Sequence, residues 1–176
     1  MQNKSMKSKI LWFTGLSGAG KTTLALALYN ILKKKYKIKI IDGDKFRKKT
    51  KNKNNFTKKN IIKNNLSIIR YINTIKSKYD YIFVAVIAPL IKTRKYARKI
   101  FNDNYYEIYT FCSLKTLRKR DTKNLYKKAQ KKIINNLIGV NSTIIYEKSK
   151  YPIIRANTDK YKLKKLIKII RFKVDM

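Results

Sequence analysis

The sequence predicts an α/β fold with a mostly parallel five-stranded sheet and helices on both of its faces. Short apolar runs of strand length alternate along the chain with longer segments of helical periodicity, an order typical of parallel sheets with crossover helices. A glycine-rich segment follows the first of these runs directly. The 176 residues suit one compact domain, so we expect residues 1–176 to fold as a single unit.

The apolar pattern places the elements in order. Apolar runs predict strands over residues 10–14, 37–41, 81–87, 105–112 and 151–156. Apolar residues at three- and four-residue spacing predict helices over residues 22–35, 60–78 and 159–172. Further helical stretches carry Arg94, Arg98 and Arg118. Because ligands of such sheets bind at the carboxyl ends of the strands, we look for the site there.

Two segments lack a clear period. Residues 45–59 are rich in Lys, Asn and Thr, and residues 119–151 mix charges with isolated apolar residues. Both are predicted to be mobile segments over a site, the second of them a lid, with solvated loops of no particular role as the alternative.

The charge is strongly positive, with 45 Lys and Arg against nine Asp and Glu and a formal net charge of +36. Such a charge is typical of proteins that bind RNA or anionic membranes. The accompanying excess of Asn, Ile and Tyr fits an AT-rich coding composition as the simpler explanation. No RNA-binding signature is present, and no segment approaches about 18 uninterrupted apolar residues. We therefore expect neither a specific nucleic acid nor a membrane as partner.

The chain contains no His and one cysteine, Cys112. The lack of His excludes Ser-His-Asp and Cys-His catalysis and His-ligated zinc. The single cysteine excludes an intramolecular disulfide, which fits a reducing compartment. No apolar segment precedes Ile10, so no signal peptide is indicated and we expect a cytoplasmic protein. Proton transfer must then depend on one of the few carboxylates.

One segment matches the phosphate-loop pattern G-x-x-x-x-G-K-[ST] at every specified position. It reads Gly15-Leu16-Ser17-Gly18-Ala19-Gly20-Lys21-Thr22 and continues into Thr23. The motif leaves a predicted strand and opens a predicted helix, where backbone N–H groups bind phosphate oxygens. We therefore expect a P-loop NTPase-type fold in three layers that binds ATP. Lys21 is predicted to neutralise the β and γ phosphates, and Thr22 to coordinate Mg²⁺.

Two of the rare carboxylates, Asp42 and Asp44, flank Gly43 at the end of the second predicted strand. One carboxylate of such a pair can hold Mg²⁺, and the other can accept or orient the proton of an attacking hydroxyl. We assign Asp42 to the metal and Asp44 to the hydroxyl, with a plain Asp-Gly turn as the alternative.

Four stretches, taken in order and spacing, resemble the adenylyl-sulfate kinase family from about residue 10 to residue 158. They are Trp12-Phe13-Thr14-Gly15-Leu16-Ser17-Gly18-Ala19-Gly20-Lys21-Thr22-Thr23, Asp42-Gly43-Asp44 with Arg47, Arg120-Asp121-Thr122-Lys123-Asn124-Leu125-Tyr126-Lys127-Lys128-Ala129, and Gly139-Val140-Asn141 with Tyr146-Glu147. The first and third stretches are much more specific than a phosphate loop alone.

The resemblance implies a kinase that uses ATP and Mg²⁺ to phosphorylate the ribose 3′-hydroxyl of adenylyl sulfate, a small nucleotide. It also implies a homodimer, since members of the family are often dimers. The acceptor-binding residues that it implies are Asp42, Asp44, Arg47, Phe56, Asn64, Ile87 and Lys123. We predict that Arg120, at the start of the lid, acts with Lys21 and Asp44 in catalysis by reaching the transferred phosphoryl group. The alternative for Arg120 is a surface arginine paired with Asp121.

Several positions depart from the family pattern, and all but one are expected in the acceptor half of the site. The family's Asp-Arg pair is Asn60-Ile61 here, its Arg pair is Leu66-Ser67, its Phe-Thr-Gly is Leu137-Ile138-Gly139, its Ile-Ser-Pro-Tyr is Ile87-Ala88-Pro89-Leu90, and the glycine of its lid motif is Asn124. Two interpretations follow: a divergent adenylyl-sulfate kinase, or a kinase of a related anhydride such as cytidine diphosphoramidate. A basic nucleic-acid-binding or catalytically inactive P-loop protein is the remaining alternative.

Overall fold

A computed structural model describes residues 8–49, 57–149 and 154–176. Its centre is a five-stranded sheet in the order β2-β3-β1-β4-β5, in which every pair of neighbours is parallel. The strands are β1 (Lys9–Thr14), β2 (Ile38–Asp42), β3 (Tyr81–Ala85), β4 (Tyr105–Phe111) and β5 (Ile154–Asn157). The predicted parallel sheet is confirmed, and the first three residues of the fifth predicted strand, 151–153, lie outside the described residues.

Seven α-helices accompany the sheet in the described part of the chain. They are α1 (Lys21–Leu32), α2 (Gly43–Lys49), α3 (Lys58–Ile75), α4 (Ile91–Phe101), α5 (Leu114–Arg120), α6 (Leu125–Gln130) and α7 (Leu163–Val174). The three helices predicted from periodicity correspond to α1, α3 and α7, with ends that differ by a few residues. The helical positions of Arg94, Arg98 and Arg118 are also confirmed, since they lie on α4 and α5.

Two hydrophobic cores lie on opposite faces of the sheet. Leu11 and Phe13 of β1 pack with α1 and α7 in one core. Ile10 and Trp12 of the same strand pack with α3 and α4 in the other. Because successive side chains of a strand point to opposite faces, the central strand contributes to both cores. The helix–sheet–helix layering confirms the three-layer α/β prediction.

The segment 45–59, which its composition predicts to be mobile, contains helix at both of its described ends. Gly43–Lys49 form α2, because one carboxylate oxygen of Asp42 accepts hydrogen bonds from the backbone N–H groups of Asp44 (3.0 Å) and Lys45 (3.2 Å) at its first turn. The next helix, α3, begins after Thr57, whose hydroxyl accepts from the N–H of Asn60 at 3.3 Å. Residues 50–56 lie outside the described residues.

The segment predicted as a lid, residues 119–151, contains regular structure up to its last described residue, 149. Its apolar residues are not isolated, since Tyr126, Ala129 and Leu137 pack with Ala19 of the glycine-rich loop. The Asp121 carboxylate accepts from the N–H groups of Tyr126 (3.0 Å) and Lys127 in the first turn of α6. Asn124 precedes α6 at φ +54°. Asn tolerates this left-handed conformation better than most residues, which explains how it replaces the glycine of the family pattern.

None of the helices in the described residues is long and apolar enough to cross a lipid bilayer.

Candidate active site

Residues 15–22 form the loop between β1 and α1 at the carboxyl end of the central strand. Gly15 has φ +139°, and a Cβ atom built there would lie 1.9 Å from the backbone oxygen of Thr110. Gly20 has φ +99° and immediately precedes α1. The loop therefore requires glycine at both positions, and it places the N-terminus of a 12-residue helix where phosphate oxygens bind.

Lys21 is buried at the start of α1, and its ammonium donates a hydrogen bond to the backbone oxygen of Leu16 at 2.7 Å. Burial, followed by the nearby charge of Lys123, lowers the pKa of Lys21 to about 8. Asp44 and Asp42 act in the opposite direction and offset only part of this effect. An anionic phosphate at this position would stabilise the charged form and raise that pKa.

Thr22 and Asp42, the residues expected to hold a metal ion, lie together. The Thr22 hydroxyl donates to Oδ2 of Asp42 at 3.0 Å. Oδ1 of the same carboxylate is held by the first turn of α2. The pair therefore offers two hard oxygen donors in a fixed orientation beside the glycine-rich loop. Thr23, the next residue of α1, is exposed.

Asp44 lies on α2 within a cluster of positive charges. Its Oδ2 accepts a short charged hydrogen bond from the Lys123 ammonium, and its Oδ1 lies 3.6 Å from the Arg47 guanidinium. Burial by itself raises the pKa of Asp44. The Lys123 hydrogen bond and the charges of Lys123, Arg47 and Lys21 outweigh burial, so the pKa lies below its usual value. The Asp44 carboxylate is therefore ionised at neutral pH.

Arg120 contacts the end of β5. Its guanidinium donates to the hydroxyl (2.9 Å) and the backbone oxygen (3.0 Å) of Thr158, and the Thr158 hydroxyl donates to Ala19 O at 3.1 Å. The alternative pairing with Asp121 is not seen among the described residues, because that carboxylate binds backbone N–H groups of α6. Arg120 thus reaches the glycine-rich loop through one intervening side chain.

Two residues expected to contact the acceptor lie near the same edge of the sheet. Ile87 follows β3, and its carbonyl accepts from the Thr14 hydroxyl at 2.6 Å and from the Gly15 N–H at 3.4 Å. Asn64, on α3, is buried, and its Oδ1 finds no hydrogen-bond partner in the described part of the chain. A buried amide oxygen without a partner is costly in a folded protein and is often satisfied by a ligand or by water. Phe56 lies outside the described residues.

Sequence reasoning assigned no role to two residues that hold this edge together. The Tyr146 hydroxyl donates to the Thr14 hydroxyl at 2.8 Å, because the Thr14 proton is used by the Ile87 carbonyl. The Tyr146 ring stacks on Tyr109 with ring centroids 5.4 Å apart. Thr158 joins Arg120 to the loop, as described above. The contacts Thr14–Tyr146 and Arg120–Thr158 join residues 132 and 38 positions apart, so no local sequence pattern reveals them. The rule that ligands bind at carboxyl ends of strands was the one available signal for Thr158, which follows β5.

Three of the residues that depart from the family pattern lie together in one apolar cluster. Ile61, Leu90 and Ile138 are buried against each other, with Leu16 and Ile87 packed at their edge. The family pattern has Arg, Tyr and Thr at the first three positions, so one apolar cluster replaces three polar side chains. Leu137, at the position of the family's second aromatic wall, is instead buried beside Tyr126 and Ala129.

A phosphate loop at the carboxyl end of the central strand, followed by a buried lysine and a hydroxyl–carboxylate pair, defines a P-loop kinase. A sequence profile described as adenylylsulphate kinase matches residues 7–157. A probable adenylyl-sulfate kinase of Archaeoglobus fulgidus is 35% identical over 154 residues, which are 87% of this chain and 97% of that protein. The chain belongs to the adenylylsulphate kinase family, whose members are phosphotransferases acting on a hydroxyl group.

Two further relatives bear on the site. A cytidine diphosphoramidate kinase of Campylobacter jejuni is 34% identical over 162 residues, covering 92% of this chain and 93% of that protein. The solved Mycobacterium tuberculosis APS kinase CysC, in complex with AMPPNP and APS, superposes with a TM-score of 0.87 at 26% identity, covering 97% of this chain and 99% of that one. The expected P-loop kinase fold is confirmed, and the family contains kinases named for two different acceptors.

Proposed function

We propose that the protein transfers the γ-phosphoryl group of ATP to the ribose 3′-hydroxyl of adenylyl sulfate, giving 3′-phosphoadenylyl sulfate. The single observation that carries this proposal is the position of Asp44. An ionised carboxylate lies on α2 beside Lys21 and the Thr22–Asp42 pair, where an attacking hydroxyl would meet a phosphate held by the loop. The family match to adenylylsulphate kinase supports the choice of acceptor.

ATP would bind through residues 15–23. The backbone N–H groups of the loop and of the first turn of α1 would contact the phosphate chain, and Lys21 would leave the Leu16 carbonyl to neutralise the β and γ phosphates. Arg120, which is held by Thr158 beside Ala19, is close enough to the loop to add positive charge at the phosphoryl group being transferred.

The Thr22 hydroxyl and the Asp42 carboxylate fit Mg²⁺, which prefers oxygen ligands and is held by few protein groups together with substrate phosphates. The described residues contain no cluster of three or more Cys, Asp or Glu able to hold a metal alone. When bound, Mg²⁺ would neutralise charge on the β and γ phosphates.

Asp44 would orient the 3′-hydroxyl for in-line attack and accept its proton, and Lys123 and Arg47 would hold the carboxylate in place. The lowered pKa of Asp44 suits positioning more than strong proton abstraction. The acceptor would contact Arg47, Phe56, Asn64, Ile87 and Lys123. We further propose that the segment carrying Lys123, residues 119–151, acts as a lid.

A second acceptor, cytidine diphosphoramidate, is favoured by one specific observation. The apolar cluster of Ile61, Leu90 and Ile138 leaves no cation at position 61, where the family has an arginine facing the anionic group of adenylyl sulfate. Losing an aromatic wall at position 137 costs about 1–3 kcal/mol of base stacking, and a smaller base needs less of that wall. The Campylobacter jejuni relative carries the name of this activity.

The deciding experiment offers the two acceptors separately, at equal concentration, to the purified protein with Mg·ATP, and follows ATP consumption. Turnover with adenylyl sulfate supports the first proposal, and turnover with cytidine diphosphoramidate alone supports the second. The Lys21→Ala variant serves as the blank for contaminating kinases. If the protein binds ATP but turns over neither acceptor, both proposals fail.

The remaining proposals concern the oligomeric state, the location and the macromolecular partners of the protein. We propose a homodimer of 20.9 kDa subunits, to be tested by light scattering, and a cytoplasmic location, where ATP is available. We propose that the protein, despite its high positive charge, binds neither a specific nucleic acid nor a membrane. Weak binding of nucleic acid that vanishes at physiological salt would agree with this proposal.

A further inference from the structure

Arg94 is the most deeply buried cation of the described residues, with 1% of its surface exposed. Its guanidinium reaches three segments that are distant in sequence. Nε donates to Glu107 of β4 at 3.2 Å, and Nη1 donates to Ala88 O after β3 at 2.5 Å. Nη2 donates to Glu147 O and, at 3.2 Å, to the Ser149 hydroxyl. The Arg94 side chain therefore joins β4, the loop after β3 and the segment that ends at residue 149.

A buried ion pair is weak grounds for a role in stability, because desolvation of the two charges offsets most of their attraction. Glu107 is itself only 3% exposed and accepts a second hydrogen bond, at 2.5 Å, from the Ser149 hydroxyl. A purely apolar contact between α4 and β4 would fill the same space. What an apolar residue cannot provide is the planar set of donors that fixes two carbonyl groups and a hydroxyl at once.

The loop held by Arg94 is the one that carries Ile87. Ala88 has φ +41°, a conformation that residues with a side chain rarely adopt and that the surroundings must maintain. Its carbonyl receives the Arg94 hydrogen bond, and the carbonyl of Ile87 receives those of Thr14 and Gly15. The peptide groups on either side of Ala88 are thus fixed by Arg94 and by the start of the phosphate loop.

The segment on the other side is attached to the same loop. Glu147 donates its N–H to Pro89 O at 2.9 Å, and its carboxylate accepts from Ile91 N at the start of α4 at 2.6 Å. The Tyr146 ring lies 5.2 Å from the Arg94 guanidinium carbon, and its hydroxyl bonds Thr14. Arg94 is therefore at the centre of a network that links residues 87–91 and 146–149 to the phosphate loop.

We infer that Arg94 is a positioning residue for acceptor binding: it fixes the Ile87 loop and the 146–149 segment in one arrangement and thereby sets the affinity for the acceptor. The phosphate loop is bonded by Ile87 and Tyr146 rather than by Arg94 itself, so the affinity for ATP should change little. This inference rests on the proposed function, because it assumes that the acceptor meets Ile87. Arg94 itself is buried behind the Ile87 loop, and its hydrogen bonds go to protein groups only.

The test compares Arg94→Lys with Arg98→Lys in steady-state kinetics with the acceptor that wild type uses. Arg98 lies one turn further along α4, stacks on Tyr105 at 5.3 Å, and contacts neither segment of the network. Lysine keeps the charge of Arg94, but its single nitrogen does not reproduce the planar fork in which Nε, Nη1 and Nη2 bond different segments. We therefore expect the acceptor KM to rise about tenfold, the effect of about one lost hydrogen bond to a charged group. The ATP KM and the Arg98→Lys constants should stay within about twofold of wild type.

A structural role alone predicts a different result. Partial unfolding would lower the apparent kcat through loss of active protein and would leave the KM for ATP and the KM for the acceptor unchanged. If Arg94→Lys does not fold, Ser149→Ala, which removes one hydroxyl from the network, should still raise the acceptor KM severalfold. Unchanged acceptor KM in a folded Arg94→Lys or Ser149→Ala protein overturns the inference. A wild-type protein without acceptor turnover would instead overturn the proposed function.

Discussion

The two halves of the proposed site are built in different ways. The ATP-facing half comes from one continuous stretch, residues 15–23, whose backbone conformation depends on glycines and a helix N-terminus. The proposed acceptor-facing half would be assembled from α2, α3, the loop after β3 and the segment between α5 and α6. A contiguous loop keeps its geometry when its neighbours change. An assembled pocket changes whenever any contributor does, and the departures from the family pattern fall mostly in this second half.

The largest effect is expected from breaking the ATP-facing half at Lys21. Lys21→Ala should lower turnover by a factor of about 1,000 or more, because the charge that develops on the transferred phosphoryl group loses its partner. ATP consumption with saturating acceptor measures the effect. Lys34→Ala, which removes an exposed lysine just beyond α1, is the matched control and should behave as wild type. Turnover above one tenth of wild type in Lys21→Ala would contradict the assigned role.

The Asp44→Asn variant tests the residue that lies between the ATP-facing half and the proposed acceptor-facing half. Asp44→Asn keeps the size of the side chain but removes the charge that pairs with Lys123 and Arg47. We expect kcat to fall about 100-fold, because a neutral amide neither accepts the hydrogen of the 3′-hydroxyl as a carboxylate does nor is held by Lys123 and Arg47, with ATP affinity changed less than about threefold. Steady-state kinetics and a separate ATP titration measure the two effects. Asp103→Asn, at an exposed turn after α4, provides the control. Wild-type turnover would remove Asp44 from the mechanism.

The pKa of Lys21 gives a pH test of the ATP-facing half alone. In the nucleotide-free protein Lys21 is protonated below pH 8 and loses its proton as the pH rises through about 8. Bound phosphate stabilises the protonated form, so ATP affinity should be highest below pH 8 and fall about tenfold between pH 7 and pH 9. Calorimetric titration at several pH values measures this change. Lys21→Arg, which stays charged, should show a flat profile, and a flat wild-type profile would contradict the lowered pKa.

The smallest effect is expected from restoring one family residue in the acceptor-facing half. Ile61→Arg should raise kcat/KM for adenylyl sulfate over cytidine diphosphoramidate about fivefold, since a guanidinium that reaches the anionic group from this buried position would add one hydrogen-bonded contact worth about 1 kcal/mol. The ratio is measured with both acceptors in one preparation. Leu26→Arg adds the same charge at an exposed position of α1 and should leave the ratio unchanged. An unchanged ratio in Ile61→Arg would mean that position 61 does not face the acceptor.

Elements that depend on short-range signals could be predicted from the sequence. The strands have apolar runs, α1 and α3 have a helical period, and the phosphate loop has a fixed spacing of glycines. The helix α2 was missed because its sequence is rich in Lys and its stability depends on Asp42 capping its first turn. That capping is visible only once the strand end and the turn are known.

Long-range contacts of the candidate site could not be predicted in the same way. Lys123 and Asp44 are 79 positions apart, and Arg120 and Thr158 are 38 apart. No periodicity relates such residues, and only the order of the strands brings them to one edge of the sheet. The resemblance to the family named Arg120, Lys123 and Asp44 together, but their pairings depend on tertiary structure.

Trp12 is the only tryptophan of the chain. It is fully buried on β1, the strand that leads into the phosphate loop, and its ring centroid lies 6.0 Å from that of Tyr105. Its fluorescence therefore comes from one known position beneath the site. The protein thus contains its own optical probe, with which nucleotide binding and unfolding of every variant above can be followed without a label.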